Sequence, residues 1–480
     1  MSRSREIERK IKRLLHGEKS RSQLSQIHGH FIRHGLDQSN EILAHFVSVC
    51  GSLPYATKLF AQSRNPNILL FNAMIKAHSL QPPFHPSFSF FSLMKSRSIS
   101  PDPYTFPPLL NSASNLRRYP LGQSLHALLI RLSFSHHPSV SIATLHLYVS
   151  CRRMDDASKL FDQMHHPPLL LSHFMIQGFC TTGHLHSAFK LFLLMRERTV
   201  VSWNLMMSCL AHSNQAYKVL ELFNEMLQQG FEPDDASLVT VLPVCARLGA
   251  VHVGHWIHSY ANSKGLLPDA IHVGNSLLHF YCKCGNLQAA WTIFNDLATK
   301  NLVSYNAMIS GLAFNGEGEL GVNLFQEMVR GGIQPNASTF VGVLACCAHA
   351  GLVDRGRHLF ASMNVKFGVS PRLEHYGCVV DLLGRCGLVR EARDFITTMP
   401  LKPTAALWGA LLSACRTYGH TEIAETAAKE LVRLEPWNSG NYVLLSNVYA
   451  EQGRWNEVEK VRVLMRGGGV KKVPGQSATG

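Results

Sequence analysis

Residues 302–336 read LVSYNAMISGLAFNGEGELGVNLFQEMVRGGIQPN, and two helical stripes separated by a turn can be traced in them. Val303, Tyr305, Met308, Ile309 and Leu312 recur at helical spacing, and Asn315-Gly316 then breaks the pattern. Leu320, Leu324, Phe325 and Met328 resume it until Gly331-Gly332 and Pro335 stop the second helix. The stretch predicts a helical hairpin with one apolar face too wide to be covered by its own partner.

The hairpin recurs along the chain. Phe60, Phe91, Phe161, Phe192, Phe223, Phe294, Phe325 and Phe360 follow one another at intervals of 31, 70, 31, 31, 71, 31 and 35 residues, most of them closing a Leu-Phe-x-x-Met pattern. A period in the thirties is one supersecondary unit that buries its face only against a neighbour, so the expected fold is an all-α solenoid of stacked helix-turn-helix repeats. Each Phe and Met of the pattern is expected to pack between hairpins. The 480 residues could make three ordinary domains, but no Gly/Ser or Pro linker divides them, and one continuous array is the expectation.

Composition narrows the function. Forty-six Lys+Arg against 32 Asp+Glu give a net charge of +14, which favours a polyanionic partner. No apolar run approaches the roughly 20 residues that a bilayer span requires, so no membrane partner is expected. The twelve cysteines are scattered singly, unlike a secreted disulfide scaffold, and imply a reducing compartment. At the N-terminus, Ile7, Ile11, Leu14 and Leu15 fall on one face of a basic amphipathic helix. That segment suits an organelle transit peptide or a cap on the first repeat, with Glu6, Glu8 and Glu18 arguing against the former.

These repeats resemble the pentatricopeptide repeat family, specifically its plant-expanded class of alternating P, L and S units with a C-terminal E motif. P-type units are similar to 68–102 (ILLFNAMIKAH onward), 200–234 and 302–336. L-type units are similar to 103–137, 235–270 and 337–372; the first two replace Leu-Phe-x-x-Met by LGQSLHALLI and VGHWIHSY, which accounts for the doubled intervals. S-type units are similar to 138–168, 169–199, 271–301 (IHVGNSLLHFYCKCGNLQAA) and 373–403 (LEHYGCVVDLLGRCG). The organisation is then a basic N-terminal segment with a partial repeat (1–40), a repeat array (41–403) and two further hairpins resembling E motifs (405–480). The tetratricopeptide repeat, a protein-binding hairpin of 34-residue period, is the competing reading, but its Trp-x2-Leu-Gly-x2-Tyr pattern does not recur here.

The resemblance implies a right-handed superhelix that binds single-stranded RNA, one base per repeat, through the fifth residue of a repeat and its last. By that rule Asn72 with Asp102 and Asn204 with Asp234 prefer uridine, while Asn275 with Asn301 and Asn306 with Asn336 accept a pyrimidine. An Asn amide offers both a donor and an acceptor to a base's pairing edge. Pro107, Ile142, His173, Val239 and Val341 occupy the fifth position elsewhere and cannot supply that two-way amide readout. They are expected to space or stack bases, giving U-x-x-x-U-x-Y-Y. The E motifs imply site selection for C-to-U editing of organellar RNA, with a mitochondrion favoured over a chloroplast and with multiple organellar RNA editing factors as partners. Organellar RNA stabilisation, splicing or translation is the alternative, and a protein-binding scaffold the third.

No catalytic or metal site is expected. Zinc base deaminases need His-x-Glu and Pro-Cys-x-x-Cys. His16-Gly17-Glu18 and His420-Thr421-Glu422 match the first half only, and no Cys-x-x-Cys occurs. A cytidine deaminase would therefore act in trans. His279, Cys282 and Cys284 invite a metal reading, but FYCKCGN is expected to be an ordinary helix end and turn.

Overall fold

A computed structural model describes residues 10–11, 13–15, 20–164, 167–267 and 270–467. Regular structure among them is entirely α-helical, and the helices alternate in pairs. The repeat 302–336 folds as the helices Leu302–Phe314 and Gly318–Arg330, with Gly316 and Gly332 at φ 82° and 81° where a side chain would strain the backbone. Residues 405–467 form two hairpins, Ala405–Tyr418 with Thr421–Leu434 and Ser439–Glu451 with Trp455–Gly467.

The chain divides into two compact units, residues 1–215 and 216–480. The division falls inside the repeat 200–234, after its first helix Val200–His212 and before its second, Ala216–Gln228. Within each unit the first helices of successive repeats pack side by side, and each second helix packs on the first helices of its own repeat and the next. No helix among the described residues is long and apolar enough to cross a membrane.

A recurring ring contact ties one repeat to the next. At several junctions a Phe near the end of the second helix meets an aromatic residue at the fourth position of the following repeat: Phe60 with Phe71 at 5.0 Å between centroids, Phe91 with Phe106 at 5.9 Å, and Phe192 with Trp203 at 5.0 Å in the first unit. Phe294 with Tyr305 at 5.2 Å and Phe325 with Phe340 at 5.7 Å repeat it in the second. Burying such a side chain contributes about 1.5–3 kcal/mol, with an aromatic pair adding about 0.5–1.5 kcal/mol. Because the fourth residue is held inward, the fifth, about 100° further round the helix, is turned toward the edge of the packed face. Phe161 and Phe360 depart from the expected burial. Both are half-buried; Phe360 still makes the recurring contact, edge-on to Tyr376 at the fourth position of the next repeat at 5.1 Å, and also meets Phe395.

Ile11 and Leu15 are fully buried in the core that holds Leu24, Ile27 and Phe31, so this part of the N-terminal segment covers the first repeat. Leu14 is 42% exposed rather than on the buried face, and Ile7 lies outside the described residues. The cysteines are not all single either. Cys180 and Cys209, on the neighbouring helices Leu169–Thr181 and Val200–His212, are joined by a disulfide.

Three histidines on helices preceding a tyrosine-bearing one are bonded to it: His28 to Tyr55, His126 to Tyr148, and His258 to Tyr281 at 2.8 Å. Burial lowers the pKa of all three; Asp37 and Asp156 oppose this at His28 and His126, and His255 adds to it at His258. Burial, with Asp156 and Tyr119, pushes Tyr148 up to about 12. An imidazole with a lowered pKa in the fold takes up its proton preferentially in the unfolded chain. Stability is therefore full at neutral pH and declines as pH falls through about 6.5. Thermal unfolding should show a lower midpoint at pH 5.5 than at pH 7.5, well above the carboxylate range. A flat profile, or a higher midpoint at pH 5.5, would contradict this.

Candidate nucleic-acid interface

The last residue of each proposed pair lies at the entry to the next repeat's first helix, as its cap at Asp234, Asn301 and Asn336 and in the turn ahead of Phe106–Asn115 at Asp102. Asn301 precedes Leu302–Phe314 in an extended conformation, and its Oδ1 accepts from the backbone N–H of Val303 and Ser304, both at 3.0 Å. Asn336 caps Ala337–Ala350 by accepting from Thr339 N–H at 3.0 Å. Asp234 accepts from Ser237 N–H at 2.9 Å in front of Asp235–Leu248. Asp102 accepts from Tyr104 and Thr105 N–H at 3.0 and 2.9 Å. Asn and Asp are suited to this role because a short side-chain oxygen reaches the free N–H groups of the first turn.

Within the two units the structure brings three pairs together. Asn72 Nδ2 donates to Asp102 Oδ1 at 3.0 Å, Asn306 Nδ2 to Asn336 Oδ1 at 3.3 Å, and Asn275 Nδ2 to Asn301 Oδ1 at 3.4 Å. Asn204 stands on Val200–His212 in the first unit and Asp234 at the cap of Asp235–Leu248 in the second. Asn72, Asn204 and Asn306 are half-buried, and Asn275 is 7% exposed. Fixing one N–H on the capping residue leaves the amide a second N–H and an acceptor lone pair. That is the complement of a pyrimidine edge, which presents a donor beside an acceptor.

Around these amides lie residues to which sequence reading gave other roles or none, and Val303, with Leu320 on the second helix, is exposed where the apolar stripe placed it inward. Leu69, Val201 and Val303, at the second position of the three P-type units, are 46%, 57% and 57% exposed. In the second unit a groove holds Asn275 and Asn306 together with Val303, His279 and Lys283, whose ammonium sits 4.1 Å from the centroid of the exposed Phe314 ring. In the first unit a groove holds Asn72 with Leu69, His45, Lys76, Tyr104 and Pro107. Apolar walls, an amide between them and a lysine at the margin suit a base with its phosphate. The signal for the apolar walls was available: a second-position Leu or Val out of phase with the buried stripe.

His173 Nε2 is bonded to Ser202 Oγ at 2.8 Å, so its ring edge is oriented as the Asn amides are. Of His279, Cys282 and Cys284, the first is exposed, the last half-buried and Cys282 in the core. Cys282 is buried beside Gly311, where an added Cβ would meet its Sγ at 2.2 Å, and burial pushes its thiol up to about 12, away from the thiolate a metal needs. Among the described residues no cluster of three or more His, Cys, Asp or Glu is placed to hold a metal. Thr421 begins a helix with His420 at its cap position, while His16-Gly17-Glu18 lies outside the described residues.

Comparison with known proteins gives the fold and the site a family. The PPR repeat family model matches residues 198–247 and 300–349, the PPR repeat model 144–166, 173–200 and 275–302, and the E motif model 418–479. The chain belongs to the pentatricopeptide repeat family and carries an E motif. It is 51% identical to the Arabidopsis thaliana pentatricopeptide repeat-containing protein At1g09190 over 98% of both chains. It is 32% identical to the A. thaliana pentatricopeptide repeat-containing protein At1g08070, chloroplastic, covering 97% of this chain and 77% of that one. Among solved structures it resembles the pentatricopeptide repeat protein PPR10 from maize, with TM-score 0.52, 17% identity and coverage of 95% of this chain and 85% of that chain. PPR10 in complex with an 18-nt psaJ RNA element gives TM-score 0.57 at 17% identity, covering 97% and 74%. At that identity the likeness supports the fold, a stack of helical hairpins.

Proposed function

We propose that this chain is a sequence-specific single-stranded RNA-binding factor that selects sites for C-to-U editing in an organelle, the cytidine deaminase being recruited in trans. The observation that carries the RNA reading is the set of three amides held on capping residues with a donor and an acceptor left for a base. The E motif match supports the editing reading, and the missing Pro-Cys-x-x-Cys half of a zinc site supports a specificity factor in place of an enzyme. A mitochondrion is the proposed compartment. A plastid is the alternative, in keeping with the word chloroplastic in one relative's name.

Binding tests the first part. RNA carrying U-x-x-x-U-x-Y-Y is expected to bind more tightly than RNA with purines at the four read positions. Both should weaken steeply with salt, because the basic surface acts on phosphates and not on bases. Equal affinity for the two RNAs at every salt concentration would remove the register proposed here. Comparing organellar transcripts of plants with and without the gene tests the second part. Loss of conversion at one or a few cytidines supports editing; altered transcript abundance with intact editing points to stabilisation, splicing or translation.

A further inference from the structure

The fifth and last residues do not meet alone. At each pair that the structure brings together, a hydroxyl from the third residue of the next repeat lies between them. Thr105 Oγ1 is 2.8 Å from Asn72 Oδ1 and 2.9 Å from Asp102 Oδ1. Ser304 Oγ is 2.7 Å from Asn275 Oδ1 and 3.1 Å from Asn301 Oδ1. Thr339 Oγ1 is 2.7 Å from Asn306 Oδ1 and 3.0 Å from Asn336 Oδ1. In all three the amide oxygen is the nearer acceptor. The three hydroxyl-bearing residues are nearly or fully buried, at 0, 0 and 1% exposure.

A capping role explains only half of this. In a capping box the third residue accepts from the N–H of the cap, and Thr105, Ser304 and Thr339 do so from Asp102, Asn301 and Asn336 at 3.2, 3.3 and 3.1 Å. The single hydroxyl proton is not needed for that bond, and it is directed at the fifth-position amide.

The sequence separates the two roles further. Repeats that follow a polar fifth residue begin with a hydroxyl at their third position: Thr105 after Asn72, Ser202 after His173, Ser237 after Asn204, Ser304 after Asn275 and Thr339 after Asn306. Repeats that follow Pro107, Ile142, Val239 and Val341 carry Val140, Leu171, Val273 and His375 there instead. A hydroxyl present for capping alone would have no reason to track the chemistry of a side chain in the previous repeat. Ser202 adds that the slot holds an imidazole as well as an amide.

Resting on the RNA reading above, we infer that Thr105, Ser304 and Thr339 are positioning residues that fix which way each reading amide faces. A primary amide can turn by 180°, exchanging its donor and its acceptor. Turned, it would match cytosine in place of uracil, since the N3 edge is a donor in uracil and an acceptor in cytosine. A hydroxyl donating to Oδ1 opposes the turned state, in which its proton would face an NH2 group. At repeat 68–102, whose pair is assigned uridine, the third residue thus sets discrimination between the two pyrimidines without touching the RNA.

The test measures, for the full chain, the ratio of affinities for RNAs with U or C at the nucleotide assigned to repeat 68–102. Thr105→Val removes the hydroxyl at nearly constant shape and should lower the ratio about three- to tenfold, the worth of one net hydrogen bond. Thr105→Ser should keep the ratio, and discrimination at the nucleotide assigned to repeat 302–336 should be unchanged in both. A loss of thermal stability with the ratio intact would mean the hydroxyl only caps the helix, and would overturn the inference. Asn72→Ala separates the two levels: if it leaves the ratio unchanged, the base-reading assignment fails and takes the inference with it; if it collapses the ratio while Thr105→Val does not, only the inference fails. Should Thr105→Val not fold, Thr105→Ala removes the same hydroxyl and gives the same comparison, with the U-over-C ratio at the same nucleotide expected to fall and an unchanged ratio counting against the inference.

Discussion

Replacing Asn72 and Asn306 together by Ala is expected to weaken binding to U-x-x-x-U-x-Y-Y RNA by about 2–6 kcal/mol, roughly one and a half to four orders of magnitude. Each two-point contact with a base is worth about 1–3 kcal/mol. The two sites bond to different residues: Asn72 to Asp102 and Thr105, Asn306 to Asn336 and Thr339. Independent sites of this kind add. The lysines and arginines remain, so affinity for an unrelated RNA and the slope of affinity against salt should both be preserved. Titrations with matched and scrambled RNA at two salt concentrations give the answer. An equal loss on both RNAs would mean that these amides support the fold or the backbone path without reading bases.

Substituting Ala for Trp437 and Trp455 together should abolish editing of the target site in plants while leaving RNA affinity within about twofold. Both rings lie in the C-terminal hairpins and are 72% and 66% exposed, so removing them opens no cavity. Exposed substitutions of this kind usually alter stability by no more than about 0.5 kcal/mol. At a protein interface, buried Trp side chains are common hot spots costing about 2 kcal/mol or more each on truncation. Two such losses, about 4 kcal/mol in all, would cut occupancy by a trans-acting deaminase nearly a thousandfold. Sequencing the target transcript measures the converted fraction. Normal conversion with the double variant as the sole copy would take these rings out of the docking surface.

The hairpin in 302–336 was legible because its signals are local. Helical spacing, Asn315-Gly316 and Gly331-Gly332 each act within one or two turns of chain, and the helices Leu302–Phe314 and Gly318–Arg330 end where those residues stand. The repeat boundaries followed from the Phe spacing, since each ring has to find the next hairpin. Phe161 and Phe360 escaped that logic because a repeat spacing fixes which face a residue takes and not how completely its neighbour covers it. Cys180 and Cys209 were read as single thiols for a similar reason. Their 29-residue separation says nothing of adjacency until the two helices are laid side by side.

What the sequence determined by itself is the class of fold, a consequence of periodicity; the register of the repeats and the choice of their fifth and last residues came with the family resemblance. Only the tertiary structure decided that Asn72, Asp102 and Thr105 form one hydrogen-bonded node, as do Asn306, Asn336 and Thr339. In one dimension Thr105, Ser304 and Thr339 are ordinary residues of a helix start. Their second bond exists because ring contacts such as Phe91 on Phe106 and Phe325 on Phe340 set how far one helix slides along the next. That offset places a hydroxyl within 2.7–2.8 Å of an amide some 30 residues earlier in the chain, a distance that depends on packing between repeats and that no spacing within a repeat encodes.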